Sequence, residues 1–243
     1  MFQTYTKNTP RAFIGAGLFY CLQKILQFKT ASAINQLKDK REYGQMKKIF
    51  YVFRHGETEF NVKNMWQGTG ANPNLNSRGR EQAAELGKKL ALCGIEKIYS
   101  SPFLRAKYTA EIANKLLQVP LETEDAFHEC CFGEAEGHTM DEINAKWPQL
   151  MHDVLYPTPT TWDSKYPGAE SESKHQVFNR VNAALLKIAR TCPCKVIGIS
   201  THGGVMSSLL AGLKSYGVGL PNCCVAQIEY NPATDELSFI KMI

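Results

Sequence analysis

Two histidines in this sequence each follow an apolar, β-prone run and each precede a glycine. His55 follows residues 49–53 and Arg54, and His202 follows residues 195–201. Such runs predict strands that are buried on both faces, as in a parallel sheet. The carboxyl ends of parallel strands meet at one edge of the sheet, where open α/β sheets bind their ligands, so we expect the two imidazoles to lie there together. Arg54 adds a fixed charge with several donors, which suits a phosphate or a carboxylate.

Further short motifs accompany the two histidines in a fixed order. They are Arg54-His55-Gly56-Glu57-Thr58 with Asn61, Ser101-Pro102 with Arg105, Glu129 before Phe132-Gly133 and Glu136-Gly137, Gly168 with Glu170-Ser171, and Ser200-Thr201-His202-Gly203-Gly204. Each piece alone is short enough to occur by chance, whereas the ordered set is specific. From about Lys48 to the C-terminus, the set resembles the histidine phosphatase superfamily, also called the phosphoglycerate mutase-like family.

The residue types in this set meet the requirements of phosphoryl transfer. A phosphoryl group in transfer spreads negative charge over three equatorial oxygens, with the nucleophile and the leaving group in line on either side. Arg54, Arg105 and His202 are the predicted cationic cradle, and Arg105 is expected in the first turn of a helix, where free N–H groups also favour anions. His55 is the predicted nucleophile, and we expect the neighbouring cations to lower its pKa and keep the ring neutral.

Glu129 is the predicted general acid, which would then act as the general base for water. The resemblance implies the same roles for these five catalytic positions. It also implies that Asn61, Gln67 and Gly68 contact the substrate or the transferred group. Asn61 and Gln67 have an alternative explanation as loop caps or turn residues.

Composition indicates one globular domain with an unevenly placed charge. The chain has 243 residues and a formal net charge of +5. Residues 1–48 hold nine Lys and Arg and two Asp and Glu, so the remainder, with 19 basic and 21 acidic residues, carries −2. The basic balance therefore belongs to the leader, and we expect no nucleic-acid partner. The eight cysteines lack the Cys-x-x-Cys spacing of zinc sites, and we expect no metal and no cofactor. Most of them lie in apolar contexts, where a reduced cysteine acts as a small hydrophobe, which indicates a reducing, cytoplasmic compartment.

Residues 1–46 form a basic, partly apolar extension, and residues 47–243 are predicted to be the domain. The apolar run of residues 12–22 is shorter than the roughly 20 residues that cross a bilayer. Three interpretations stay open for the extension. It is a targeting or anchoring segment that contacts a membrane surface, a helical segment packed on the domain, or an upstream segment that the domain does not need.

Strand and helix patterns alternate along the domain, which predicts an α/β fold. We expect a three-layer, doubly wound, mostly parallel sheet with helices on both faces, as in the phosphoglycerate mutase-like family. The pattern predicts helices over residues 76–94, from Ser101-Pro102 onward, over 170–190 and over 204–213, and a closing hairpin of residues 223–230 and 236–242. Glu170 and Ser171 also fit an N-cap. Residues 130–168 are predicted to be irregular, with a short helix near 140–147.

Taken with the resemblance, these residues predict a metal-independent phosphomonoesterase of the histidine acid phosphatase type, acting on a small phosphorylated substrate through a phosphohistidine. Two alternatives remain. One is a cofactor-dependent phosphoglycerate mutase, which returns the phosphoryl group to a sugar acid. The other is a catalytically weak protein that binds phosphorylated ligands. Residues 130–168 do not match the long insertion of the family's mutases, which favours hydrolysis.

Overall fold

The centre of the computed structural model is a six-stranded sheet, and the structure describes residues 42–155, 158 and 160–243. Its strands are β1 Lys48–Arg54, β2 Lys97–Ser100, β3 Leu121–Thr123, β4 Val196–Thr201, β5 Val225–Asn231 and β6 Glu236–Met242. They are arranged in the order β3-β2-β4-β1-β5-β6. The hypotheses for the N-terminal extension concern residues that lie almost entirely outside the described part of the chain.

Helices connect and cover these strands. They are α1 Glu59–Val62, α2 Ser77–Ala91, α3 Leu104–Leu117, α4 Met140–Lys146, α5 Pro148–Leu155, α6 Lys174–Thr191 and α7 Gly203–Gly212. Among the helices that the structure describes, none has the length and apolar character needed to cross a membrane.

The central pairing of β1 with β4 sets up the functional edge of the sheet. The two strands run parallel, and Arg54 pairs with Thr201 at their carboxyl ends. His55 and His202 each follow directly, so the sheet itself brings the two imidazoles side by side. Strand β2 also pairs in parallel with β4 and with β3, whereas β5 and β6 form an antiparallel hairpin beside β1. The predicted mostly parallel sheet is thus confirmed.

Side chains of β1 alternate between two hydrophobic layers, as the period of two in a strand requires. Phe50 and Val52 pack into a core with α6 and α7, and Phe53 packs into a second core with α2 and α3. All three side chains are buried. Burying each one fully contributes about 1.5–3 kcal/mol relative to exposure. The chain therefore forms the expected three layers, with helices on both faces of the sheet.

Two predicted helix starts were wrong. Helix α3 begins at Leu104 after Phe103, not at Ser101-Pro102. The hydroxyl of Ser101 instead accepts a hydrogen bond from the amide of Phe103 and contacts a ring nitrogen of His202. Helix α6 begins at Lys174, and its N-cap is Ser173 rather than Glu170 or Ser171.

The segment that sequence patterns leave irregular contains two short helices. The predicted helix near residues 140–147 is confirmed as α4, which starts with a capping box between Thr139 and Glu142. Helix α5 follows almost at once and was not predicted. Pro148 occupies its first position, where a missing N–H does no harm. Helix α4 starts beside the cavity described next, because Thr139 and Met140 line that cavity.

Candidate active site

His55 stands immediately after β1, at the carboxyl edge of the sheet. Its side chain is 1% exposed, and its amide donates to the carbonyl oxygen of Thr201 at 3.0 Å. Ring nitrogen Nδ1 lies 2.7 Å from the carbonyl oxygen of Gly56. A carbonyl can only accept, so this contact places the proton on Nδ1. Nitrogen Nε2, which no described residue hydrogen-bonds, is then left with a free lone pair.

The electrostatic surroundings keep this ring neutral. Burial, followed by the charges of Arg54 and Arg105, lowers the pKa of His55 well below its ordinary value of 6.5. The hydrogen bond to Gly56 opposes this effect only in part. A neutral imidazole with a fixed tautomer is the form that can attack phosphorus.

The two predicted cradle arginines are each held by carbonyl oxygens. Arg54 donates from Nη1 to Leu220 at 2.5 Å. Arg105 is fully buried and donates to the carbonyl oxygens of Ala71 at 3.1 Å and Gly68 at 2.9 Å. In both guanidinium groups the buried Nε lacks a partner among the described residues. A buried unpaired donor costs about 1–3 kcal/mol. Burial lowers the pKa of Arg105 to about 10, so it remains charged at neutral pH.

His202 adds a second imidazole rather than a third charge. The centroids of the His55 and His202 rings are 5.3 Å apart. Nitrogen Nε2 of His202 lies 2.7 Å from the hydroxyl of Ser101, while the buried Nδ1 has no partner in the described part of the chain. Burial, then the positive charge of Arg105 and the neighbouring His55 ring, lowers the pKa of His202 well below 6.5. The expected cationic cradle therefore consists of two arginines with a neutral imidazole beside them.

Glu129 lies at the amino end of α7, the helix that follows His202 directly. Its Oε1 accepts from the amides of Cys130 at 2.8 Å and Val205 at 3.2 Å, and its Oε2 accepts from Gly204 at 3.4 Å. The side chain is 6% exposed and lines the same cavity as His55. Gly204 is required there, because a Cβ at that position would come within 2.6 Å of Oε1. The carboxyl group of Glu129, the predicted general acid, therefore lies at the cavity that also contains His55.

Asn61 and Gln67 line the cavity. Gly68 instead accepts a hydrogen bond from Arg105 through its carbonyl oxygen. The Oδ1 of Asn61 accepts from the amide of Thr58 at 3.1 Å, and the Oε1 of Gln67 accepts from the hydroxyl of Thr58 at 3.1 Å. Asn61 is therefore the capping-box partner of Thr58, which confirms the cap explanation for its side chain, while contact with the substrate stays a prediction. Gly68 has φ +54 and presents its carbonyl oxygen to Arg105.

Two residues that sequence reasoning missed help to position this site. Asn222 donates from its amide to the carbonyl oxygen of His55 at 3.0 Å and to Asn61 at 3.2 Å. Glu136 was noted only as part of a motif. Its Oε1 accepts from Thr69 at 2.9 Å and its Oε2 from Gly70 at 2.7 Å, which fixes the loop that holds Arg105. Neither role has a local sequence signal, since each contact joins distant segments.

The cavity above these groups has a volume of about 670 Å³. Arg54, His55 and Glu129 line its floor, while Arg105 and His202 are fully buried next to them. An aromatic wall, formed by Trp66, Phe132 and Tyr166, faces the same space. Within residues 42–155, 158 and 160–243, no group of three His, Cys, Asp or Glu side chains is placed to hold a metal ion.

Comparison with known proteins assigns the family. Residues 50–241 match the family model described as histidine phosphatase superfamily, branch 1. The chain belongs to this superfamily. The resemblance seen in the sequence motifs is confirmed, and Arg54, His55 and His202 of those motifs stand at the carboxyl edge of the sheet.

Individual relatives carry both phosphatase and mutase names. The chain is 31% identical over 184 residues to "Uncharacterized phosphatase PhoE" of Bacillus subtilis, covering 74% of this chain and 86% of that protein. It is 28% identical over 186 residues to "Probable phosphoglycerate mutase GpmB" of Salmonella paratyphi B, covering 74% and 84%. A phosphoglycerate mutase structure from Bacillus anthracis superposes with a TM-score of 0.72 at 24% identity, covering 83% and 95%. At that identity the superposition shows the fold alone.

Proposed function

We propose that this protein is a metal-independent phosphomonoesterase that hydrolyses a small phosphorylated substrate through a phosphohistidine at His55. The observation that carries the proposal is the hydrogen bond of His55 Nδ1 to the Gly56 carbonyl, beside two arginines with unpaired donors. That arrangement supplies a neutral nucleophile and an anion cradle in one place. The superfamily membership and the phosphatase name of a relative are consistent with it.

In the first step, Nε2 of His55 attacks phosphorus and the ester oxygen leaves. Negative charge on the equatorial oxygens is balanced by Arg54 and Arg105, whose buried Nε groups have no partner among the described residues. The second imidazole, His202, offers its Nδ1 to the same group. Donors that are fixed before the substrate arrives need no reorganisation in the transition state.

Glu129 delivers the proton that the leaving oxygen requires. Because its Oε1 accepts from the amides of Cys130 and Val205 and its Oε2 from the amide of Gly204, the carboxyl group is held at the cavity surface. In the second step the same group accepts a proton from water, and the hydroxide equivalent attacks phosphorus and releases His55. Atoms balance, since each turnover consumes one water and yields an alcohol and inorganic phosphate.

The test is the hydrolysis of p-nitrophenyl phosphate with and without EDTA, paired with rapid quenching after exposure to a ³²P-labelled substrate. We expect EDTA-resistant hydrolysis and an acid-labile, base-stable label on the protein. His55→Ala should remove both signals, whereas His175→Ala, a histidine paired with Asp163 away from the cavity, should keep both. Turnover that survives His55→Ala, a label that is stable to acid, or complete loss of activity with EDTA would each overturn the proposal.

The mutase names among the relatives make one further assay necessary. Incubation with 3-phosphoglycerate, with and without a bisphosphate primer, separates transfer to water from transfer to a sugar acid. We expect phosphate release without fast primer-dependent isomerisation. Fast isomerisation would replace hydrolysis by the mutase reaction while leaving His55 as the nucleophile.

A further inference from the structure

The Gly56 carbonyl oxygen, which accepts from Nδ1 of His55, belongs to a peptide group whose N–H is hydrogen-bonded as well. That N–H is the amide of Glu57, and it donates to Oε1 of Gln82 at 2.9 Å. An amide N–H can only donate, so the acceptor must be the oxygen of the glutamine side chain. The hydrogen bonds therefore form one chain that runs from the imidazole through the peptide group to Gln82.

This chain strengthens the hydrogen bond that fixes the tautomer of His55. The two halves of a peptide group are conjugated, so an acceptor on the N–H increases the negative charge on the carbonyl oxygen. A more negative oxygen at Gly56 holds the Nδ1 proton more firmly. As a result, Nε2 of the same ring, the nucleophile of the proposed reaction, becomes more basic.

Helix α2 carries Gln82 and also supports the peptide group from below. A Cβ at Gly79, one turn before Gln82, would come within 2.1 Å of the Glu57 carbonyl oxygen, and a Cβ at Gly56 would lie 2.4 Å from the carbonyl oxygen of Gly79. The amide of Asn76, the N-cap of α2, donates to the Glu57 carbonyl oxygen at 3.0 Å. Residues three apart share one face of a helix, so the close contact at Gly79 directs Gln82 toward the same backbone segment.

A buried threonine on α3 holds the amide on the other side of Gly56. The hydroxyl of Thr109 donates to the carbonyl oxygen of Arg105 at 2.7 Å and accepts from the amide of Gly56 at 2.9 Å. A glycine backbone is otherwise free to turn. Because the amides before and after the Gly56 carbon are both held, one by Thr109 and one by Gln82, the direction of its carbonyl group is fixed.

Gln82 is half-buried and does not line the cavity, so it has no route to the substrate. It could satisfy the Glu57 amide for the sake of stability alone, or it could also act on the nucleophile. The two roles predict different effects of a substitution on His55.

We infer that Gln82 is a positioning residue for the nucleophile, acting on His55 through the Gly56–Glu57 peptide group. This role rests on the proposed function for the identity of the nucleophile. In the step that it assists, the bond between Nε2 and phosphorus forms and the ester P–O bond breaks. The ring keeps its proton on Nδ1 throughout, and the leaving oxygen takes its proton from Glu129.

The first test is NMR of the protein labelled with ¹⁵N in its histidines. Comparison with His55→Ala assigns the Nδ1–H signal of His55. Gln82→Met keeps the length of the side chain and removes the acceptor, so we expect the Nδ1–H proton resonance to move upfield, as it does when a hydrogen bond weakens. Gln82→Glu keeps an accepting oxygen and should leave the resonance near its wild-type position.

The second test separates the two chemical steps by rapid quenching with a ³²P-labelled substrate. A more basic Nε2 is a better nucleophile and a poorer leaving group, so loss of the acceptor should slow the formation of phosphohistidine but not its hydrolysis. We expect Gln82→Met to lower the rate constant of formation about 10- to 100-fold, as loss of a residue that orients a functional histidine does elsewhere. The rate constant of breakdown, measured after a chase with unlabelled substrate, should not fall. Gln82→Glu should recover most of the formation rate.

The matched control is Glu81→Met, because Glu81 precedes Gln82 on α2 and its side chain is 68% exposed. It should leave the Nδ1–H resonance in place and both rate constants within twofold of wild type.

Two results would overturn the inference. One is an unchanged Nδ1–H resonance in Gln82→Met. The other is equal slowing of both steps, which is the result expected of a residue that serves stability alone. A wild-type protein that forms no phosphohistidine would instead contradict the proposed reaction, and the Nδ1–H resonance would then decide alone whether Gln82 acts on His55.

Discussion

The guanidinium group of Arg105 donates to the carbonyl oxygen of Gly68 at 2.9 Å, although 37 positions separate the two residues in the chain. The loop that carries Gly68 is itself fixed by Glu136, whose carboxylate accepts from the amides of Thr69, Gly70 and Phe132. The Glu136 carboxylate thus orients Arg105, one of the predicted catalytic residues, through a backbone loop and makes no direct hydrogen bond to it.

Glu136→Gln tests this relay. The amide replaces one of the two accepting oxygens, so at least one loop amide loses its partner and the loop can shift. We expect kcat/KM for an aryl phosphate to fall about 10- to 100-fold, since small displacements of positioned groups slow catalysis strongly. Glu134→Gln, two positions away on an exposed side chain, is the matched control and should leave the rate within twofold of wild type. Equal rates for Glu136→Gln and wild type would contradict the relay.

Gly204→Ala tests the placement of Glu129. The added methyl group would lie 2.6 Å from Glu129 Oε1 and 2.9 Å from Phe132, so the carboxyl group must move. We expect kcat to fall at least about tenfold, because general acid catalysis contributes roughly 10²–10⁴ and needs correct geometry. Measured kcat for a substrate with a poor leaving group should fall more than kcat for p-nitrophenyl phosphate, which needs little protonation.

The control for that substitution is Gly219→Ala, where a Cβ meets no atom within 4 Å. It should leave both rates unchanged. A Gly204→Ala protein with the same loss on both substrates would argue that the methyl group disturbs the whole site and not the acid.

The sheet and the edge that carries the two histidines could be predicted because their signals are contiguous in the sequence. The apolar runs before His55 and His202 mark buried parallel strands, and strand direction alone then brings the two rings together. The positions of Arg105 and Glu129 came from the family resemblance, which preserves order but gives no geometry.

The remaining contributors have no local signal. Lys174 lies in a polar stretch of the sequence, which by itself predicts an exposed helix start. The packing of α6 against α7 buries its side chain. Asn222 acts through the carbonyl oxygen of His55, 167 positions away in the chain. The start of α3 was misplaced because Pro102 fits a first helical position, while Ser101 has a competing partner in His202. Tertiary contacts decided each of these cases.

Acid should destabilise the folded protein through its two buried imidazoles. The pKa values of His55 and His202 lie well below 6.5 in the folded protein, whereas each ring titrates near 6.5 in the unfolded chain. Above that pH neither state binds the protons and the contribution is constant. As the pH falls below 6.5, the unfolded chain binds protons that the folded protein does not, so the free energy of unfolding declines. The limit is about 1.4 kcal/mol per pH unit for each ring.

Urea unfolding at pH 7.5, 6.5 and 5.5 measures this slope, and His202→Gln isolates one ring. The carboxylates titrate in the same way in wild type and in His202→Gln. The difference between the two proteins in the slope of unfolding free energy against pH therefore measures the contribution of the His202 imidazole. We expect the variant to lose less stability than wild type between pH 6.5 and 5.5. Identical slopes would show that His202 binds its proton equally in both states.

Arg180 on α6 holds the backbone segment that carries Glu129, the predicted general acid. Its guanidinium pairs with both oxygens of Glu172, at 2.7 and 3.0 Å, and donates to the carbonyl oxygens of Ala126, His128 and Glu129. The Arg180 and Glu172 side chains are only 18% and 19% exposed. Arg180→Met would leave a largely buried carboxylate and three carbonyl groups without their donor, so we expect unfolding free energy to fall by about 2–4 kcal/mol.

The matched control is Arg190→Met, which breaks the ion pair between Arg190 and Asp235. Each of these two side chains is 49% exposed. Exposed pairs contribute about 0–1 kcal/mol, so this change should be nearly neutral in urea unfolding. Arg180→Met should also lower kcat, because the released carbonyl of Glu129 frees the segment that carries the acid. If both variants lost the same small amount of stability, or if Arg180→Met kept full kcat, then the backbone amides of α7 alone would suffice to hold Glu129 in place.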